Sequence, residues 1–179
     1  MTLYKEKYRI ASFRCAAWDY TSPGFYFITI CTRDRRCFFG KVRRSIMVLS
    51  PLGKILAEEW QRTGVVRPYL RLDVWVVMPN HFHALIEILP HAGNRCDDWD
   101  PAIKRSRLQP HSLESIVGQF KSVCTKRIWQ AGYRDFGWQP RFHDHIVQDD
   151  RALQRIRDYI RNNPAKWERD RHFSNRYRD

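Results

Sequence analysis

His81 and His83 stand two residues apart in the run Asn80-His81-Phe82-His83-Ala84-Leu85-Ile86-Glu87-Ile88. Along an extended strand successive side chains point to opposite faces, so Phe82, Ala84, Ile86 and Ile88 share one face and His81, His83, Leu85 and Glu87 the other. Two imidazoles side by side on a strand can hold one divalent ion, a geometry that a helix reaches only at a spacing of three or four. The same spacing also occurs among histidines with no ligand role, and the pattern alone leaves both readings open. A second candidate lies near the C-terminus. With Tyr159 at 0° on a helical wheel, Asn163 falls at about 40°, Ile156 at about 60°, Ile160 at about 100° and Leu153 at about 120°. A phenol and an amide one turn apart thus share the edge of an apolar stripe, where they can face a sheet and still reach water. Taken without the histidines, they read more simply as a rim aromatic and a helix C-cap before Pro164.

Two further features compete with these. His143 and His145 form a second His-x-His that on a strand would also share a face and could bind metal or phosphate, although no tyrosine position on a helix goes with it. Glu87, on the histidine face, either orients an imidazole or is a strand-end charge.

The charge balance says what kind of partner such groups would meet. Among 179 residues, 32 are Lys or Arg and 19 Asp or Glu, a formal charge of +13, and arginine outnumbers lysine 24 to 8. The guanidinium fork grips two phosphate oxygens at once, which points to a polyanion; the other reading is a basic surface kept for solubility. Arg155, Arg157 and Arg161 flank the tyrosine on its helix, and residues 151–179 hold nine basic and four acidic side chains, which reads as a phosphate-binding surface. No basic helix has an apolar face, so nucleic acid is favoured over a membrane. No apolar run approaches the ~20 residues of a membrane span, and residues 1–10 lack a signal-peptide core, so the expected location is the cytoplasm. Five cysteines without a Cys-x-x-Cys pair argue against a disulfide framework or a thiolate zinc site.

The elements that must position these groups follow from pattern. The aromatic and β-branched run 25–32 reads as a first buried strand and 46–49 as a short one. Ser50-Pro51 opens a helix that ends near Gly64. Residues 72–77 and 81–88, separated only by Met78-Pro79-Asn80, form an antiparallel hairpin. Residues 90–111 lack periodicity and read as a long exposed loop, in which His91, Cys96 and His111 have no ligand spacing. Ser112 caps a second long helix that stops at Gly132, residues 138–147 form a strand, and Asp149 or Asp150 starts the last helix, which runs to about Asn163. The order implies one α+β domain over 1–179, with a basic C-terminal segment from about 164. It predicts a single antiparallel sheet with helices on one face and the tyrosine helix near the other.

The combination Met78-Pro79-Asn80-His81-Phe82-His83-Ala84-Leu85-Ile86-Glu87-Ile88 and, some seventy residues on, Ile156-Arg157-Asp158-Tyr159-Ile160-Arg161-Asn162-Asn163-Pro164 resembles the single-tyrosine HUH transposases, specifically the REP-associated tyrosine transposase branch. The likeness extends to "WDYTSPGFYFITICT", "GQFKSVCTKRI" and "WQPRFHDHIV", and so spans most of the chain. It implies a ferredoxin-like HUH endonuclease fold, with His81 and His83 as metal ligands, Tyr159 as nucleophile and Asn163 as third ligand. Insertion-sequence relatives carry glutamine at that last position, and asparagine has the shorter reach. The resemblance further implies nicking of single-stranded DNA beside a hairpin, a 5′-phosphotyrosine and a free 3′-hydroxyl, with Mg2+ or Mn2+ as cofactor. Both monomers and homodimers occur among such proteins.

The residue chemistry agrees. A phenol of ordinary pKa ≈ 10 is a weak nucleophile at neutral pH unless a metal on the scissile phosphate assists its attack. Two other functions fit the same sequence: a DNA-binding relative that no longer cuts, and a metal-dependent phosphodiesterase that uses water and leaves Tyr159 structural. For any polyanion-binding reading, affinity for single-stranded DNA falls steeply with salt, with a log–log slope of ~0.7 per phosphate neutralised. Titrations across salt concentrations check this, and a flat response would remove nucleic acid as the partner.

Overall fold

The computed structural model describes residues 18–90 and 109–169, together with the backbone of two short paired strands, Leu3–Tyr4 (β1) and Tyr8–Arg9 (β2). The aromatic run forms Gly24–Cys31 (β3). Gly40–Arg43 (β4) and Ile46–Leu49 (β5) make a separate two-stranded ribbon, followed by helix Pro51–Val65 (α1). Leu70–Val77 (β6) and His81–Ile88 (β7) form the expected hairpin. Helix Leu113–Gln130 (α2), strand His143–Val147 (β8), helix Asp150–Asn162 (α3) and a 3-10 turn at Pro164–Arg169 complete the order.

The fold is α+β. One four-stranded antiparallel sheet runs in the order β6-β7-β3-β8. Its first face buries Tyr26, Ile28 and Ile30 of β3 and Phe82, Ala84, Ile86 and Ile88 of β7. Against them pack Leu52, Leu56 and Trp60 of α1 and Ile116, Val117, Phe120, Cys124 and Ile128 of α2. Phe82 meets Trp60 and Phe120 at ring separations of 4.9 and 5.7 Å. α1 and α2 are also joined by Arg127, which donates to the buried Glu59 and to Glu58. The second face carries a smaller cluster, Leu85 with Leu153 and Ile160 of α3.

Local chemistry explains the boundaries. Ser50 and Ser112 accept hydrogen bonds from the backbone N–H of Gly53 and Ser115, capping α1 and α2 as their sequences predict. Gly132 takes φ +98°, a left-handed value suited to a chain leaving a helix. Cys31 and Cys124 are buried and form no disulfide, and burial pushes the Cys124 thiol well above its usual range.

Three expectations are revised. The strand expected over 138–147 is only His143–Val147: Trp138 forms one isolated bridge with Thr32, Pro140 has no N–H to give a ladder, and Arg141 turns the chain at φ +66°. The short strand at 46–49 pairs with β4, which has too little apolar alternation to be seen in sequence, and the ribbon stays apart from the main sheet. His111 is half-buried against the edge of Tyr69, with ring centroids 4.6 Å apart. The rest of the expected loop, 91–108, and the C-terminal stretch 170–179 lie outside the described residues.

Gly53 and Gly118 both sit in helices, but a Cβ on Gly53 would collide with the Phe39 carbonyl at the base of the ribbon, whereas Gly118 has open space around it. Gly118→Ala is expected to raise unfolding free energy by up to ~1 kcal/mol. Gly53→Ala is expected to lower it by ~1–3 kcal/mol. Denaturant unfolding of the two variants side by side checks the opposite signs.

Candidate active site

The paired strands deliver the two histidines to the second face. In the β3–β7 register, Cys31 lies opposite His81 and Thr29 opposite His83, and both imidazoles are fully buried. Their ring centroids are 4.5 Å apart.

Each imidazole is oriented through Nδ1. Asn80 donates from Nδ2 to the Arg35 carbonyl at 3.0 Å, which leaves its Oδ1 facing His81 Nδ1 at 2.9 Å. An amide oxygen only accepts, so His81 carries its proton on Nδ1 and presents the Nε2 lone pair. Thr29 Oγ1 sits 2.8 Å from His83 Nδ1 and plays the corresponding part for the second ring. Asn80, which the sequence places only in the hairpin turn, is thus the residue that orients His81. Its position directly before His81 was the available signal.

α3 brings the tyrosine. Asp149 accepts the Ala152 N–H at its start, Leu153 and Ile160 bury its inner stripe, and Tyr159 stands at the edge of that stripe with 37% of its surface exposed. The Tyr159 hydroxyl is 3.3 Å from His83 Nε2. Phe27 packs between the two groups, 5.4 Å from the His83 ring and edge-on to Tyr159 at 5.9 Å. Asn163 ends α3 as its C-cap and is buried, including its side-chain oxygen. The chain on either side of it touches both histidines, since Tyr159 meets His83 and Trp167 lies 5.8 Å from the His81 ring. Among the described residues no cluster of three or more His, Cys, Asp or Glu is placed to hold an ion.

The remaining candidates divide. Glu87 is a strand-end charge paired with Arg71 at 2.8 Å. His143 and His145 are exposed on the edge strand β8, opposite Thr29 and Phe27, and so lie on the same sheet face as His83. His145 and Arg155 line an open cavity of about 540 Å³ with Phe27, Ala152, Ile156 and Tyr159. Arg161 is exposed, 3.7 Å from Asp158. Arg157 differs from its expected role: Nε and Nη2 both donate to Asp73 Oδ2, at 2.9 and 2.6 Å, and this bond holds its guanidinium even more firmly protonated than usual. Asp73 lies at the irregularity in β6 between Leu72 and Trp75, so the bulge presents the carboxylate that ties down α3.

No family model matches the chain. It is 34% identical over 164 residues to a Haemophilus influenzae protein described as uncharacterized, covering 89% of this chain and 90% of that protein. A REP-associated tyrosine transposase of Escherichia coli K12 is 27% identical over 147 residues, 82% of this chain and 70% of that protein. The solved structure of a REP-associated tyrosine transposase bound to a REP hairpin superposes with a TM-score of 0.60 at 23% identity, over 88% of this chain and 74% of that one. Over most of its length the chain is thus similar to REP-associated tyrosine transposases. The superposition shows that the chain shares the fold of that structure, and relatives named transposases support a DNA-processing enzyme. Among the described residues, no helix is long and apolar enough to cross a membrane.

Arg155 and Arg157, both on α3, give a direct test of this division. Arg157→Ala strands the largely buried Asp73 and is expected to cost ~1–3 kcal/mol of stability. Arg155→Ala is expected to leave stability within ~0.5 kcal/mol while weakening DNA binding. Denaturant melts and DNA titrations of both variants check the crossover.

Proposed function

We propose that this protein nicks and rejoins single-stranded DNA beside hairpin-forming, REP-like sequences through a covalent 5′-phosphotyrosine on Tyr159. The observation that carries the reading is the 3.3 Å approach of the Tyr159 hydroxyl to His83 Nε2, next to a second oriented imidazole. In the reaction the Tyr159 oxygen bonds to phosphorus as the P–O3′ bond breaks. The phenolic proton leaves, the departing 3′-oxygen is protonated, and the phosphodiester becomes a phosphotyrosine ester. Because that bond is transferred rather than hydrolysed, attack by a 3′-hydroxyl reverses the step and rejoins strands.

His81 Nε2, His83 Nε2 and the Asn163 amide oxygen are the groups that would hold a divalent ion. Two nitrogens and one oxygen suit Mn2+ well and Mg2+ less closely. The hydrogen bonds that Nδ1 of each ring makes to Asn80 and Thr29 are the usual supports of metal-binding histidines. When bound, such an ion supplies Lewis-acid polarisation of the scissile phosphate. The protein's own part is to orient both imidazoles, hold Tyr159 at the rim where a strand can reach it, and supply charge for the backbone from Arg155 and Arg161. Hairpin DNA as partner is supported by the solved relative's bound REP hairpin.

Tyr159→Phe removes one oxygen and keeps the ring, so folding, DNA binding and Mn2+ binding are expected to survive while the covalent adduct disappears. His81→Ala is expected to lose both the adduct and Mn2+ binding. Denaturing gels with labelled hairpin DNA, with calorimetric metal titration, check both. Cleavage without adduct in Tyr159→Phe would make water the nucleophile, and an adduct on Tyr133 or Tyr177 would move the role to that residue.

A further inference from the structure

The β4–β5 ribbon takes no part in this chemistry, yet it is fastened to the site. At its base the Phe39 N–H donates to the Pro79 carbonyl at 3.0 Å and the Ser50 N–H to the Phe39 carbonyl at 2.9 Å. Pro79 and Asn80 lead directly into His81, and Asn80 is itself bonded to the Arg35 carbonyl. On another side β5 packs against the Pro164–Arg169 turn that follows Asn163. The ribbon's position relative to Tyr159 is therefore set by the same contacts that set the histidines.

Its two faces differ. Met47 and Leu49 turn inward onto the main core. Lys41, Arg43, Ile46 and Val48 point outward, with Ile46 67% and Val48 53% exposed. At the tip, Arg44 and Ser45 both take positive φ, +48° and +63°, a turn that favours Asn-Gly. Here the strained turn carries an exposed arginine instead. Residues 40–49 contain three cations and no carboxylate.

We propose that the outer face of this ribbon docks in the major groove of duplex DNA, the stem of the hairpin whose flanking strand reaches Tyr159; that last identification rests on the function proposed above. The dimensions agree: two strands ~4.8 Å apart and four residues long, at ~3.4 Å each, enter a groove ~12 Å wide. Arg43 and Arg44 reach the phosphates at the groove walls, while Ile46 and Val48 meet base edges, including thymine methyl groups. Two apolar side chains ringed by cations suit DNA better than a second copy of a chain with charge +13.

The test uses the full chain carrying Tyr159→Phe, so that binding is read without cleavage. Fluorescence anisotropy compares a stem-loop bearing a single-stranded flank with an unstructured strand of equal length. Arg43→Gln/Arg44→Gln is expected to reduce the log–log salt slope for the stem-loop by ~1.8, at ~0.9 per phosphate, and to leave the unstructured strand's slope unchanged. Ile46→Ser/Val48→Ser is expected to weaken stem-loop binding about tenfold without changing the slope. Thermal melts show that the variants remain folded, since all four side chains are exposed. Equal losses on both DNAs, or none on either, would overturn the proposal. A change in oligomeric state for Ile46→Ser/Val48→Ser, read by light scattering, would assign the face to a second copy and overturn it too. Absence of a Tyr159 adduct in the unsubstituted protein would reject the nicking function while leaving this binding comparison intact.

Discussion

The register between β3 and β7, with Thr29 opposite His83, is the constraint on which the site depends. A slip of one residue would turn Phe82 and Ala84 toward α3 and drive both imidazoles into the apolar layer under α1 and α2. What prevents the slip is the first core. Phe82 alone meets Trp60, Phe120 and Trp75, and burying a side chain of that size is worth ~1.5–3 kcal/mol. The packing on one face therefore fixes the chemistry on the other.

Register places the rings and hydrogen bonds aim them. Thr32 donates from both its backbone N–H and its hydroxyl to the Asn80 carbonyl, while the Asn80 side chain spans from Arg35 to His81. The end of β3 and the start of β7 are thereby locked around one residue. The tyrosine helix is held differently. Beneath it the fully buried apolar cluster is small, and the Arg157–Asp73 pair adds a directional tie between α3 and β6. Because Asp73 is mostly shielded from solvent, that pair is a positional device whose loss costs more than its presence gains.

The strand alternation around His81 and the wheel positions of Tyr159 and Asn163 were legible because both follow from local periodicity, as were the serine caps of α1 and α2. So was the meeting of the two motifs on the far face, once the helix order and the resemblance were combined. The role of Asn80 was legible only as its place directly before His81, since its aim depends on a carbonyl 45 residues away. β4 was not legible, since its four residues form a strand only because β5 returns beside them. Trp138 reads as strand by its aromatic character, but its indole N–H goes to the Lys121 carbonyl, a contact settled by tertiary packing.

The arginines show the same boundary at the level of charge. An excess of guanidinium groups is a property of composition and points to a polyanionic partner without any structure. Which guanidinium meets that partner depends on which carboxylates the fold brings near. Asp73 takes Arg157 from 84 positions away, Glu58 and Glu59 take Arg127, and Asp135 takes Arg36. Arg155 shares the helix of Arg157 and its sequence surroundings, yet opens onto the cavity beside Tyr159. Two residues of one helix thus have opposite employment, one structural and one facing the site. The difference comes from a bulge in β6 that no periodicity announces.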